Sequence, residues 1–134
     1  MKDLSRRSLQ AAVAVLSLIP IGAGAAGVLL GPAMVDAASA VPVDLDSHFR
    51  YLSGIFLALG VVFISTVPAI ERRSGRFRLA GALVICGGLA RALSMAVHGV
   101  PSLPHLAGLG MELGVMPALL IWQWSVASRS GGGG

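Results

Sequence analysis

The sequence predicts an all-α integral membrane protein, an antiparallel bundle of four transmembrane helices in a single domain, 1–129. Only 12% of its 134 residues are charged, about half the fraction typical of a soluble domain. Hydrophobic residues make up 55% of the chain, and its mean hydropathy is +0.83. The apolar residues fall in four blocks, each close to the roughly 20 residues that cross a ~30 Å hydrocarbon layer as a helix. Too few polar side chains remain to cover a surface that faces water.

The predicted spans are about 9–31, 49–70, 79–97 and 106–124, followed by a flexible tail at 130–134. The first span follows a basic start and precedes Ala38-Ser39-Ala40, a pattern that is also typical of a cleaved signal peptide. We favour an uncleaved first helix, because its apolar run exceeds the roughly 7–15 residues of a signal-peptide core. At the end of the last span, Trp122-Gln123-Trp124 fits an aromatic belt at the membrane interface.

Lysine and arginine are distributed unevenly over the predicted loops. Eight of the ten lie at the two termini or in the loop between the second and third spans, whereas only Arg50 lies near the other loops. The positive-inside rule therefore predicts a multi-pass membrane protein with both termini in the cytoplasm. The net charge of +4 does not indicate nucleic-acid binding, because the chain has no solvated basic face with aromatic or polar readers.

Two opposite charges interrupt the last two apolar blocks. Arg91 precedes His98 by seven residues, and Glu112 follows His105 by seven, so each charge lies roughly 10 Å of helix rise from the turn that separates the blocks. A charged side chain near the centre of a lone helix costs about 2.5–3.5 kcal/mol on insertion scales. We therefore predict that Arg91 pairs with Glu112 at one depth in the outer half of the membrane, and that His98 meets His105.

Helical spacing enlarges this candidate site. Ser94 lies on the face of the third span that carries Arg91, because residues three and seven apart share one side of a helix. The start of the second span adds three further polar residues near the same boundary. The predicted ligand-binding or buried polar cluster is Arg50, Tyr51, Ser53, Arg91, Ser94, His98, His105 and Glu112.

Four interpretations of this cluster stay open at the level of sequence. It is a structural clamp that fixes helix register, a polar pocket for a small ligand, a metal or haem site on His48, His98 and His105, or a proton-coupled transport route through Glu112. The metal interpretation lacks the His-x-x-x-His and carboxylate–histidine spacings that such sites use. No catalytic or nucleotide-binding motif of soluble enzymes is present. The single cysteine, Cys86, lies within an apolar block, and we expect its thiol to be buried.

Several short motifs carry a resemblance to a known family. They are His48-Phe49-Arg50-Tyr51-Leu52-Ser53-Gly54-Ile55, Pro68-x-Ile70-Glu71-Arg72, Phe77-Arg78, Gly87-Gly88-Leu89-Ala90-Arg91, Glu112, and Pro117 with Trp122-Gln123. From Leu9 to Trp124 the chain resembles a bacterial family of small four-helix inner-membrane proteins, domain of unknown function 4345. That resemblance implies four spans and names no activity. The chain is also similar to DoxX-type four-helix proteins, some of which associate with quinone-linked redox systems, and this likeness favours a quinone as ligand.

The leading functional hypothesis is a membrane protein that binds a quinone, a lipid head group or another small amphipathic or anionic molecule. The sequence favours a binding protein over an enzyme. An accessory subunit of a larger membrane complex is the first alternative, and a proton-coupled transporter or redox protein is the second. Small residues at helical spacing let helix backbones approach each other. They offer a surface for a membrane-protein partner or a second copy of the chain at Gly22, Gly27, Gly31, Gly110 and Gly114.

Overall fold

A computed structural model describes residues 2–37 and 40–131. Its α-helices are α1 (Lys2–Leu30), α2 (Val43–Thr66), α3 (Ser74–His98), α4 (Leu103–Gly110) and α5 (Met116–Gly131). Short 3-10 turns extend α1 over Gly31–Met34 and α2 over Val67–Ala69, and a π-helical turn, Met111–Val115, joins α4 to α5. Over these residues the chain contains helices and no strand, so the all-α prediction is confirmed.

Four helical segments are long and apolar enough to cross a membrane: Asp3–Met34, Val43–Ala69, Ser74–His98 and Leu103–Ser130. Three of them contain a predicted span in full, and the second ends at Ala69, one residue before the predicted end at 70. The segments extend beyond the apolar blocks because polar residues at both ends continue the helical hydrogen bonding. The predicted tail is helical at Ser130, and its last residues, 132–134, lie outside the described part of the chain, as do Ala38 and Ser39 of the signal-peptide pattern.

The chain divides into two compact units. The N-terminal unit comprises Gln10–Val67, and the C-terminal unit comprises Met1–Leu9 with Pro68–Gly134. In the N-terminal unit α1 and α2 are antiparallel, since Gly24 lies against Leu57 and the later Gly27 lies against the earlier Ser53. A methyl group at Gly24 would lie 2.5 Å from the Leu57 backbone nitrogen. These glycines therefore set the close approach of the two helices.

In the C-terminal unit α3 packs antiparallel to the segment formed by α4, the π-turn and α5. Gly81 lies against Met116 and Leu120, and the later Gly88 lies against the earlier Glu112. The left-handed conformation of Gly99, with φ +94°, ends α3, because residues with a Cβ rarely adopt it. The buried apolar side chains of this unit are Leu9, Ala69, Ile70, Phe77, Ala80, Met116 and Val126.

Large apolar side chains cover much of the exposed surface, among them Leu18, Leu83 and Ile121. A soluble domain would bury such residues, whereas helices in a bilayer present them to lipid. Cys86 is exposed as well, so the prediction of a buried thiol was wrong. The physical reason is its position on α3: at 100° per residue it points away from the face that Gly81 and Gly88 turn towards the partner helix.

The small-residue surface predicted for a partner is partly occupied within the chain itself. Gly27 is filled by Ser53, and Gly31 is filled by Asp46 and Arg50 of α2. In contrast, a methyl group at Gly22, Gly110 or Gly114 would meet no atom within 4 Å. Gly22, Gly110 and Gly114 therefore stay available for a partner helix, and docking of a partner there stays a prediction.

Candidate functional site

Arg91 and Glu112 form the ion pair that the sequence predicts. Arg91 Nε donates to Glu112 Oε2 at 2.9 Å, and Arg91 Nη2 donates to Glu112 Oε1 at 3.0 Å. Such a two-bond fork is the strongest geometry available to a guanidinium and a carboxylate. The Glu112 side chain is 13% exposed and that of Arg91 is 32% exposed. The Glu112 side chain thus lies deeper than that of Arg91, part of which stays exposed.

Local backbone structure positions this pair. Glu112 lies on the π-turn, and π-turns inside α-helices are frequent at functional sites. Opposite it, Gly88 brings α3 so close that a methyl group there would lie 2.8 Å from Glu112 Cβ. A methyl group at Gly108 would lie 3.7 Å from Arg91 Cζ, so the guanidinium rests against the α4 backbone. Only glycine at position 88 permits this contact, because a bulkier residue would separate the two helices.

The remaining candidates in the C-terminal unit are more open. His105 Nδ1 shares a hydrogen bond of 2.9 Å with Ser102 Oγ, the residue that precedes α4. Ser94 and His98 are exposed, and neither has a hydrogen bond or ion pair among the residues that the structure describes. The contact between His98 and His105 therefore stays a prediction.

Arg50 lies in the N-terminal unit and caps the end of α1. Its Nε donates to Asp46 Oδ2 at 2.8 Å, and its Nη1 donates to the backbone oxygens of Val28 and Leu29 at 2.6 and 3.1 Å. A cation at a helix C-terminus satisfies carbonyls that have no partner in the helix and interacts favourably with the helix dipole. Gly31, with φ +64°, makes room for this guanidinium. Sequence analysis had grouped Arg50 with Arg91 and Glu112, and that grouping stays a prediction.

The other candidates of the N-terminal unit differ in their surroundings. Ser53 Oγ donates to the Phe49 backbone oxygen at 2.7 Å, so this hydroxyl is already occupied within α2. Tyr51 and His48 are exposed. Over residues 2–37 and 40–131 no group of three or more His, Cys, Asp or Glu side chains lies close enough to hold a metal ion. The metal site considered for His48, His98 and His105 therefore gains no support from the fold.

Comparison with protein families identifies the chain. The family model described as domain of unknown function (DUF4345) matches residues 8–123. The chain belongs to this family. The match extends over the DUF4345 chain from Ser8, in the second turn of α1, to Gln123 and includes the Arg91–Glu112 pair. Comparisons with curated proteins and with solved structures found no match, and the likeness to DoxX-type proteins stays a prediction.

A second polar cluster, which the sequence does not predict, lies at the opposite end of the C-terminal unit of this DUF4345 protein. Gln123 is fully buried, and its Nε2 donates to the Ile70 backbone oxygen at 2.8 Å and to Ser74 Oγ at 2.7 Å. From its sequence position alone, Gln123 is predicted in an interfacial belt. An amide at a span end is compatible with both settings, and only the fold shows that α3 begins beside it.

Two further contacts tie the start of α1 to this cluster. Trp122 Nε1 donates to Ser5 Oγ at 3.1 Å, and Arg6 Nη1 lies 3.5 Å from Glu71 Oε1. Glu71 is largely enclosed, and its Oε2 has no hydrogen-bond partner among the described residues. Glu71 is the one sequence feature that could have indicated this cluster. It is the single acid of an arginine-rich loop, and a lone carboxylate among cations seldom stays unpaired.

Proposed function

We propose that this DUF4345 protein binds a small amphipathic or anionic ligand, a quinone or a lipid head group, at a polar pocket around Arg91 and Glu112. The observation that carries the proposal is the forked ion pair between two apolar helices, in which the Arg91 side chain is 32% exposed and its Nη1 has no hydrogen-bond partner among the described residues. A partly exposed guanidinium keeps its remaining N–H groups accessible to a ligand.

The hydrogen-bonding capacity of Arg91 supports ligand binding. A guanidinium has five N–H donors, and Glu112 takes one from Nε and one from Nη2. Nη1 has no partner among the described residues. Its two N–H groups suit the acceptor oxygens of a quinone carbonyl, a carboxylate or a phosphate. The paired carboxylate holds the guanidinium in place, so the ligand would meet an oriented donor rather than a mobile side chain.

The surroundings of the pair suit an amphipathic molecule. Gly108 leaves space beside the guanidinium that a side chain would fill, and His98 and His105 lie towards the end of the helices. Leu89 and Leu93, which flank Arg91 on α3, are exposed and would contact lipid or an apolar ligand tail. A polar head near Arg91 with a tail along the helix surface is the binding mode that this arrangement favours.

We infer further that the protein lies in the bacterial inner membrane with both termini in the cytoplasm. Support comes from the eight basic residues on one set of loops against Arg50 on the other. On this topology the Arg91–Glu112 pair lies in the outer half of the membrane. Reporter fusions at the C-terminus and in the 99–102 turn test it: a cytoplasmic signal from the turn would overturn this orientation.

An accessory subunit of a larger membrane complex is the second candidate function. The observation in its favour is the exposed pair Gly110 and Gly114, one helical turn apart on the fourth segment, where a methyl group would meet no other part of the described chain within 4 Å. Such spacing suits a partner helix. Substituting both glycines with leucine should then release the partner on purification in mild detergent and leave the Arg91–Glu112 pocket and its ligand in place.

Native mass spectrometry of the protein purified in mild detergent tests the proposed ligand. We expect the wild type to retain a quinone or lipid, and the double variant Arg91→Met/Glu112→Leu to fold and lose it. Arg91→Lys keeps the charge without the fork and should retain less. The matched control is Arg72→Met, which removes a guanidinium that is 80% exposed and should leave retention unchanged. A wild type without any small molecule, or a folded double variant that keeps it, would overturn the proposal.

A further inference from the structure

A cleft in the C-terminal unit lies between the start of α1 and the end of α5. It is lined by Asp3, Ser5, Arg6, Val126, Arg129 and Ser130. The cleft opens to solvent and holds about 370 Å³ of space when its open part is included. We propose that it binds a phosphate group, that of the phosphodiester in an anionic phospholipid. This site is separate from the Arg91–Glu112 pocket and does not depend on the function proposed there.

The charges that line the cleft fit a singly charged anion. Arg6 and Arg129 contribute two positive charges and Asp3 contributes one negative charge, so the lining carries a net charge of +1. A phosphodiester carries one negative charge, and its binding would neutralise the cleft. Arginine is the residue that suits phosphate best, because its planar fork offers two parallel hydrogen bonds to phosphate oxygens.

Hydrogen-bond donors in the cleft are available for such a ligand. Arg129 is exposed and has no hydrogen bond or ion pair among the residues that the structure describes. Among the described residues Arg6 is engaged only by a 3.5 Å contact from Nη1 to Glu71, so Nη2 is available to donate. Ser5 Oγ accepts from Trp122 Nε1, which leaves the hydroxyl proton of Ser5 to donate elsewhere. The cleft thus presents three donor side chains and one carboxylate, that of Asp3.

The predicted membrane position selects a lipid as the source of the phosphate. On the inferred topology the start of α1 and the end of α5 meet the cytoplasmic leaflet, whose anionic lipids attract basic segments by roughly 1 kcal/mol per residue near the surface. The Trp122 side chain, fixed by its bond to Ser5, is the residue type that settles at the head-group level. A phospholipid beside α5 therefore brings its phosphate to the height of Arg6 and Arg129.

Titration of the detergent-solubilised full chain with phosphatidylglycerol, followed by native mass spectrometry, tests the proposal. Arg129→Gln is the primary variant, because Arg129 is exposed and its removal leaves no partner unpaired. We expect it to lower the bound fraction about tenfold, the loss typical of one charged hydrogen bond, and Arg129→Lys to restore part of it. The matched control is Arg7→Gln, which changes the net charge equally, is exposed, and does not line the cleft.

Three results would count against the proposed site or against a lipid as the source of the phosphate. Equal losses in Arg129→Gln and Arg7→Gln would overturn the site, since general charge attraction would then explain binding. Equal binding of phosphatidylcholine would overturn it as well, because that lipid has no net charge to neutralise. Displacement of phosphatidylglycerol by an equal concentration of inorganic phosphate would support phosphate recognition and refute the lipid as its source. The double variant Arg91→Met/Glu112→Leu should bind phosphatidylglycerol as the wild type does, which keeps this test apart from that of the proposed ligand pocket.

Discussion

Removing one member of the Arg91–Glu112 pair should destabilise the protein far more than removing both. Loss of one partner of a buried pair typically costs about 3–5 kcal/mol, whereas replacing both with apolar residues is often neutral. The two single variants should also differ. Arg91→Met leaves the carboxylate, 13% exposed, without a partner and should cost near the upper end. Glu112→Leu leaves the more exposed guanidinium without its partner. The long Arg91 side chain can place that charge in polar surroundings while its aliphatic part stays against the helices. The loss of stability should therefore lie near the lower end of this range.

Urea unfolding in detergent micelles, followed by the fluorescence of Trp122 and Trp124, measures these free energies. We expect the double variant Arg91→Met/Glu112→Leu to fall within about 1 kcal/mol of the wild type. The control is Asp46→Asn, which breaks an ion pair between side chains that are both about 40% exposed. It should cost only about 0.3–0.5 kcal/mol, as other pairs one helical turn apart do. Single-variant losses that simply add in the double variant would refute this account of the pair.

Three further predictions are measured by the same unfolding experiment, and the first two are each compared with a second glycine as control. Gly88→Ala should lose about 1–3 kcal/mol through overpacking, because its methyl group would lie 2.8 Å from Glu112 Cβ, whereas Gly87→Ala meets no atom within 4 Å and should not destabilise. Gly31→Ala should lose at least about 1 kcal/mol to its positive φ, whereas Gly22→Ala in open space should not. Gln123→Leu should lose about 1–3 kcal/mol, because the hydrogen bonds to Ile70 and Ser74 disappear; an unchanged stability would show that these bonds contribute nothing.

Most of the fold could be predicted from the hydropathy of the sequence and from the free-energy cost of an unpaired charge in the membrane. The four spans follow from apolar blocks long enough to cross a bilayer, because a helix is the only single segment that satisfies its own backbone in lipid. The Arg91–Glu112 pair follows from the same energetics. Both charges lie in apolar blocks at equal distances from a turn, and the sequence offers each of them one opposite charge at its own depth.

Other features depend on tertiary contacts that the sequence does not encode locally. The buried state of Gln123 arises because α3 begins beside it, and the role of Arg50 as a cap arises because α1 ends beside it. Cys86 was expected to be buried because apolar surroundings in sequence suggest a core. In a membrane protein, however, an apolar block faces lipid on most sides. Hydrophobicity alone therefore cannot separate the face that packs from the face that meets the bilayer.

The π-turn at Met111–Val115 divides the fourth segment into two halves of different angular phase. A turn closed by i→i+5 bonds accommodates one residue more than an α-helical turn, and each residue corresponds to about 100° of rotation. A helix face that is predicted from regular α-helical spacing before residue 111 therefore does not continue in line after residue 115, but is displaced by about 100° around the axis. Deleting one residue there would restore a continuous α-helix without shortening either half appreciably. Such a change of length would alter the backbone that carries Glu112, and with it the position of the carboxylate opposite Arg91, while the rest of the hydrophobic scaffold stays unaltered.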